Sequence, residues 1–393
     1  MGPIRTVAAA TATTVVAVMP VFLIGASGPF VREDLGFDQA GLGVAVALFM
    51  GSSAVFAVVG GRVSERIGGG NALTLVAAGA GTVMLGTALL AQRLTHLLVL
   101  LALGGFLNSM AQPAGNLALA RGVSARPALM FGIRQAAIPV ATLLAGASVP
   151  LVSLTIGWRW AFALGAALAL CTAVFVPRRL APPGPIAATR ARQGDAATAP
   201  LVALAVGFSI GIAAAVSLGS FLVESAVAAG VEPGAAGWLL VGSSFAGVCS
   251  RIAVGWLADR HQGTALYQAS ALLLLGAGGY GMLASGEPAL FAVGAVLGYA
   301  AGWGWGGLVF FAVVRFNPTA PAAATGIVSA GAAGGAALGP LAFGYLVTAA
   351  SFEVAWTLAA VAALASAGLV LFARSWLVRD RARRVQSHRD DGD

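Results

Sequence analysis

Apolar runs of about 20 residues, the length a helix needs to cross a bilayer, follow one another along the whole chain. The runs are continuous. Barrel strands would alternate with a period of two, so helices are favoured. Spans are expected near 7–28, 41–60, 72–91, 97–118, 128–150, 158–176, 201–223, 236–257, 265–284, 289–312, 322–347 and 355–373. The pattern predicts an all-α polytopic membrane protein of about twelve transmembrane helices. The long polar break runs from Arg178 to Pro200 and contains Pro182, Pro183, Gly184 and Pro185, the composition of a flexible linker. The expected units are a six-helix bundle over 1–177, a cytoplasmic linker over 178–200, a second six-helix bundle over 201–374 and a basic cytoplasmic tail over 375–393.

Composition agrees with a chain immersed in lipid: 59% hydrophobic, 9% charged, mean hydropathy +0.91. The basic residues are all arginine, which fits a GC-rich bacterial genome of actinobacterial type. A net charge of +8 would suit a nucleic-acid partner, but its placement follows membrane topology instead. With the N-terminus inside, the inner side receives Arg5, Arg62, Arg66, Arg121, Arg126, Arg178, Arg179, Arg190, Arg192, Arg251, Arg260 and Arg315, then the arginines from Arg374 onward. The outer side receives Arg32, Arg93 and Arg159. This asymmetry predicts both termini in the cytoplasm of a bacterial inner membrane and no nucleic-acid partner. The tail can also touch anionic lipid headgroups. Arg5 with the apolar stretch behind it has the outline of a signal peptide, but the segment has a counterpart later in the chain and is expected to belong to the fold. Cys171 and Cys249 lie inside apolar runs and read as small packing residues; no metal site or cofactor is expected.

The chain repeats itself at an offset of 194. Gly36 maps to Gly230, Gly43 to Gly237, Gly61 to Gly255, Glu65 to Asp259, Arg66 to Arg260, Gly104 to Gly298 and Arg121 to Arg315. Pro127, Gly132 and Ile133 map to Pro321, Gly326 and Ile327. A parallel repeat of six-span halves places the halves about a pseudo-twofold axis along the membrane normal, with a substrate site between them near the midplane.

The loop after span 2 reads Gly61-Arg62-Val63-Ser64-Glu65-Arg66-Ile67-Gly68, and that after span 8 reads Gly255-Trp256-Leu257-Ala258-Asp259-Arg260. The glycine permits close helix contact, and the carboxylate can pair with arginine or accept from a neighbouring helix N-terminus. Such a clasp can close one state and break in the other. Arg251, one turn before Gly255, is expected to support it. This pair of loops resembles the loop motif of the major facilitator superfamily. So do Gly157-Trp158-Arg159-Trp160 at the entry to span 6 and Gly339-Pro340 with Gly344 in span 11. The resemblance covers the whole chain and implies a monomeric secondary transporter working by alternating access, without a cofactor. Gly69 and Gly70 depart from it, standing where the first loop motif often ends in a basic pair.

Ionisable residues inside a membrane are costly and mark functional sites. Arg134 lies roughly 9 Å into span 5, counting 1.5 Å per residue. It either faces the cavity and binds a carboxylate or similar anion, or snorkels toward the cytoplasm. Gly132-Ile133-Arg134-Gln135 resembles a pattern in superfamily members that carry small anions. Asn108, Gln112 and Asn116 stand four apart on span 4 and either line the cavity or tie helices together. Trp303 and Trp305 in span 10 either wall the cavity or pack. If transport is coupled to H+, Glu224 at the outer end of span 7 is the candidate carboxylate; otherwise it is interfacial, as Glu33 and Asp34 at the outer mouth are.

The leading expectation is a transporter of a small anionic metabolite. Efflux of amphipathic drugs is the alternative, weakened by the lack of a span-4 arginine and a span-1 acid. A receptor is third. An enzyme is not expected: His96, His261 and His388 fall in loops or the tail, and no nucleophile–base pair appears.

Overall fold

The computed structural model describes residues 3–119, 127–177, 198–261, 263–318 and 320–390, apart from the side chains of 3–4, 116–119, 127–128, 130–131, 322 and 381–390. Among the described residues all regular structure is helical. In lipid this follows from backbone chemistry, since a helix satisfies its own N–H and C=O groups. Eleven helices are long and apolar enough to cross a membrane, and up to twelve if the bent pair Gly28–Leu35 and Gln39–Val55 is one span.

Span 1 is Pro3–Ala26, followed by the short helix Gly28–Leu35. Span 2 is Gln39–Val55, continued past Phe56 by Ala57–Ile67; span 3 is Gly69–Leu90. Span 4 is Leu94–Asn108 and Ala111–Leu119. Span 5 is Pro127–Gln135 and Ala137–Ser148, ending in a wide turn over Val149–Ser153; span 6 is Trp158–Phe175. Spans 7 to 9 are Thr198–Ala228, Pro233–Arg260 and Ala265–Leu283. Span 10 is Pro288–Leu297, a wide-turn segment Gly298–Gly302, and Gly306–Phe316. Spans 11 and 12 are Pro321–Ala349 and Phe352–Asp390. The last helix continues well past the expected end of span 12, into the basic tail.

The repeat is visible in the backbone. Gly36 and Gly230 both take positive φ, 68° and 84°, at the turns after their helices, a conformation that a Cβ disfavours. Span 4 breaks at Ser109 and span 10 at Trp303, positions 194 apart. The halves differ elsewhere. Span 2 breaks at Phe56 and span 5 at Ala136, while their counterparts, spans 8 and 11, run unbroken.

Packing follows the rules of lipid rather than water. Large apolar side chains such as Leu89, Val174, Phe175 and Phe245 point outward, where acyl chains cover them. Helices meet through small residues that let backbones approach. A Cβ on Gly25 would stand 2.8 Å from Ser220 Cα, and one on Gly279 2.8 Å from the Gly298 nitrogen. The halves meet along two long seams, span 5 against span 8 and span 2 against span 11, with spans 1 and 7 between them. The membrane side holding both chain ends is here the terminal side, and the opposite one the distal side.

Candidate substrate path

On the distal side the halves are joined by charge. Arg32, on the short helix after span 1, donates from Nε to Glu224 Oε1 of span 7 at 2.8 Å. Glu224 is buried, and Gly28 lies against its carboxylate. An open vestibule of about 860 Å³, lined by Pro29, Arg32, Glu33, Phe37, Gln39 and Glu224 among others, sits at this pair. Asp34 is held separately. Arg159 Nη1 donates to Asp34 Oδ2 at 2.6 Å, Trp158 Nε1 donates to the same oxygen at 3.2 Å, and Arg159 Nη2 donates to the Ala91 carbonyl at 2.9 Å. The Gly157–Trp160 motif therefore anchors the loop between spans 1 and 2. On sequence Arg32 counts with the arginines of the outer side and has no role. A buried acid with no cation on its own helix was the available signal, since a buried charge needs a partner.

Spans 5 and 8 run antiparallel and touch along their length. At the terminal end the Leu129 backbone N–H donates to Asp259 Oδ2 at 3.0 Å. That carboxylate caps the start of span 5, where the free N–H groups and the helix dipole favour a negative charge. One turn further in, Gly132 abuts the Arg251 carbonyl and Gly255, leaving no room for a Cβ. Near the middle, Thr142 Oγ1 and Ser244 Oγ share a hydrogen bond of 2.8 Å. At the distal end Gly146 and Gly237 lie in reciprocal contact. Asp259, Gly255 and Arg251 are spaced by four and form one stripe on span 8. The arginine of this loop, Arg260, stacks on Trp256 at 3.7 Å.

In the first-half loop Gly68 takes φ 82° and ends the helix, and Ser64 is buried. The close contact with span 4 is made by Gly60, against Ser109, rather than by Gly61, which only reaches Pro113 at 4.0 Å. Among the described residues Glu65 makes no hydrogen bond or ion pair, and Arg66 is exposed.

Arg134 turns toward span 4. Its Nη2 donates to the Gln112 carbonyl at 3.0 Å and to Gln112 Oε1, beside Gly115. Asn108 Nδ2 donates to Ser53 Oγ of span 2 at 2.9 Å. The break at Ser109 thus splits the expected polar face: Asn108 ties helices, and Gln112 holds Arg134. The Asn116 side chain lies outside the described residues. Gln135 points the other way, into a small closed cavity with Arg251, Gly132, Gly255, Gly304 and Gly307.

The two tryptophans separate. Trp305 is fully buried in the second half, donating to the Gly302 carbonyl at 2.8 Å and packing on Phe208. Trp303 reaches the seam, its ring 5.8 Å from that of Phe22 of span 1, 5.6 Å from that of Tyr299 and 5.4 Å from the Arg251 guanidinium.

Two helical bundles related by a repeat, meeting along seams that carry charged side chains, have the architecture of a membrane transporter. The chain belongs to the Major Facilitator Superfamily, whose family profile matches residues 10–227 and 201–391. No curated protein matches it at the sequence level. Among solved structures it is similar to the human organic anion transporter MFSD10 (TETRAN), with a TM-score of 0.65, 16% identity, and coverage of 94% of this chain and 100% of that one. It is likewise similar to a mutant of the nucleoside transporter NupG, with a TM-score of 0.70, 14% identity, and coverage of 93% and 99%. At such identities the likeness concerns the fold.

Proposed function

We propose that the chain carries a small anionic metabolite across a bacterial inner membrane by alternating access, coupled to protons through Glu224. The observation that carries this reading is the distribution of charge within the spans. Arg134 and Arg251 lie inside spans 5 and 8, while the buried acid Glu224 is spent on Arg32 at the distal gate. The fixed charge inside the spans is therefore positive, which suits an anionic substrate. The terminal side is assigned to the cytoplasm on the arginine distribution. Arg134, Gln135, Gln112 and Trp303 are candidates for contact with the substrate, and Asp259 with Gly255 forms the cytoplasmic clasp. Residues 178–200 link the halves, and the working unit is a monomer.

Proton coupling has a definite sign here. Ionised Glu224 holds Arg32 and closes the distal side. A proton on Glu224 removes that attraction, so acid on the distal side favours opening there. Amphipathic efflux has one observation in its favour, an apolar groove of about 740 Å³ between spans 1, 5 and 6. That groove is lined by the first half alone, not by the seam.

Proteoliposome uptake of an anion panel, with and without a pH gradient, tests the reading. Anion uptake driven by a proton gradient is expected, with the gradient dependence lost in Glu224→Gln. Arg134→Ala is expected to lower uptake about tenfold or more while the protein still folds. Export of lipophilic cations without any anion flux would contradict the reading.

A further inference from the structure

Arg251 is 4% exposed and sits well inside span 8. Its guanidinium offers five donors. The one hydrogen bond it makes among the described residues is long, from Nη1 to the Gly247 carbonyl at 3.4 Å. Both ion pairs among the described residues belong to other arginines. What faces the charge is aromatic, with the Trp303 ring centroid 5.4 Å from Cζ and Tyr299 packed behind it. A ring face offsets part of the cost of burying a cation, but buried charges as a rule have counter-charges.

Helix direction separates Arg251 from Arg134. Side chains tilt toward the N-terminus of their helix. Span 5 starts on the terminal side, so Arg134 leans that way and is taken up by Gln112. Span 8 starts on the distal side, so Arg251 leans toward the membrane centre, over Gly247. Arg251 lies nine residues before Arg260, roughly 13 Å from the end of the span at 1.5 Å per residue, close to half the hydrocarbon thickness.

The cavity beside Arg251 is lined from both halves, by Gly132 and Gln135 of span 5 and by Arg251, Val254, Gly304 and Leu308 of spans 8 and 10. Its free volume is about 10 Å³, room for one water molecule. It lies on the seam, so rocking the halves apart widens it.

We propose that Arg251, not Arg134, holds the charged group of the substrate, between Gln135 of the first half and Trp303 of the second. This rests on the anion reading above. One cation faces the cavity, so the ligand it balances is a small monoanion with a flat or short apolar remainder that fits against the rings. Gln135 and Arg251 come from opposite halves, so a bound anion also bridges the parts that move. Arg134 is then a positioning residue that holds span 5 to span 4.

The test is uptake and thermal unfolding of the full chain in proteoliposomes and detergent, with acetate, benzoate, succinate and phosphate as probes. Wild type is expected to take up the monocarboxylates in preference to succinate and phosphate, and to be stabilised by them. Arg251→Lys keeps the charge but loses the two-pronged donor geometry, so KM for the monocarboxylate rises about tenfold while the ligand-free Tm is unchanged. Gln135→Ala is expected to raise KM with little change in Tm. Arg251→Gln is expected to lose both uptake and stabilisation. Wild-type KM in Arg251→Lys, or a preference for succinate, would overturn the assignment while leaving the anion reading in place. A wild type that moves none of the four probes would overturn both.

Discussion

The seam between spans 5 and 8 and the seam between spans 2 and 11 are related by the repeat, yet they are closed differently. On the distal side they match. Gly43 lies against the Pro340 carbonyl as Gly237 lies against the Gly146 carbonyl, pairs that correspond at the 194-residue offset. The Ala40 N–H adds a hydrogen bond to Thr348 Oγ1 at 3.0 Å. On the terminal side they part. Gly132 is pressed on Arg251 and Gly255, whereas its counterpart Gly326 has nothing within 4 Å among the described residues. Asp259 accepts from Leu129, whereas Glu65 makes no hydrogen bond among the described residues. The break at Phe56, absent from span 8, lets the end of span 2 lean away from span 11, leaving Val55 and Val58 at 75% and 65% exposure. Both distal contacts are made but only the 5–8 seam keeps its terminal contacts among the described residues, so the 2–11 seam is the less tightly closed of the two on the terminal side.

The contrast can be broken most strongly at the paired glycines. Gly132→Val forces a side chain into the Arg251 carbonyl and should cost about 1–3 kcal/mol by overpacking. Gly326→Val should leave stability within about 0.5 kcal/mol, as substitutions in open space do. Thermal unfolding in detergent checks both, and equal losses would erase the distinction. A smaller effect is expected at the carboxylates. Asp259→Asn removes a charged cap worth about 0.3–1 kcal/mol and should loosen the 5–8 clasp. Glu65→Gln should do nothing measurable to this state. Hydrogen exchange at the start of span 5 would register the first and not the second.

The spans were legible because lipid demands apolar runs of fixed length, and the repeat was legible because charged and proline positions recur in register. The breaks at Phe56, Ser109 and Trp303 were not. They sit inside apolar runs, where hydropathy is silent and local packing decides. The two loops read alike in sequence, yet among the described residues the carboxylate of the second reaches across its seam and that of the first does not, a difference set by local packing rather than by residue type. On sequence Arg251 groups with the clasp because it stands four residues before Gly255 on the same face. That face is the 5–8 contact, but the direction of span 8 carries the side chain inward, away from the loop. Gln112 and Asn108 read as one polar face, but their division between Arg134 and Ser53 depends on the break between them.

The looser closure of the 2–11 seam is tested most directly by spin-label distances on equivalent pairs, with Cys171 and Cys249 replaced by serine. Labels at Val59 and Ala323 report the 2–11 seam, and labels at Ala253 and Leu129 report the same places on the 5–8 seam. A longer mean distance is expected across 2–11 than across 5–8 in the ligand-free protein. Equal distances for the two pairs would contradict it.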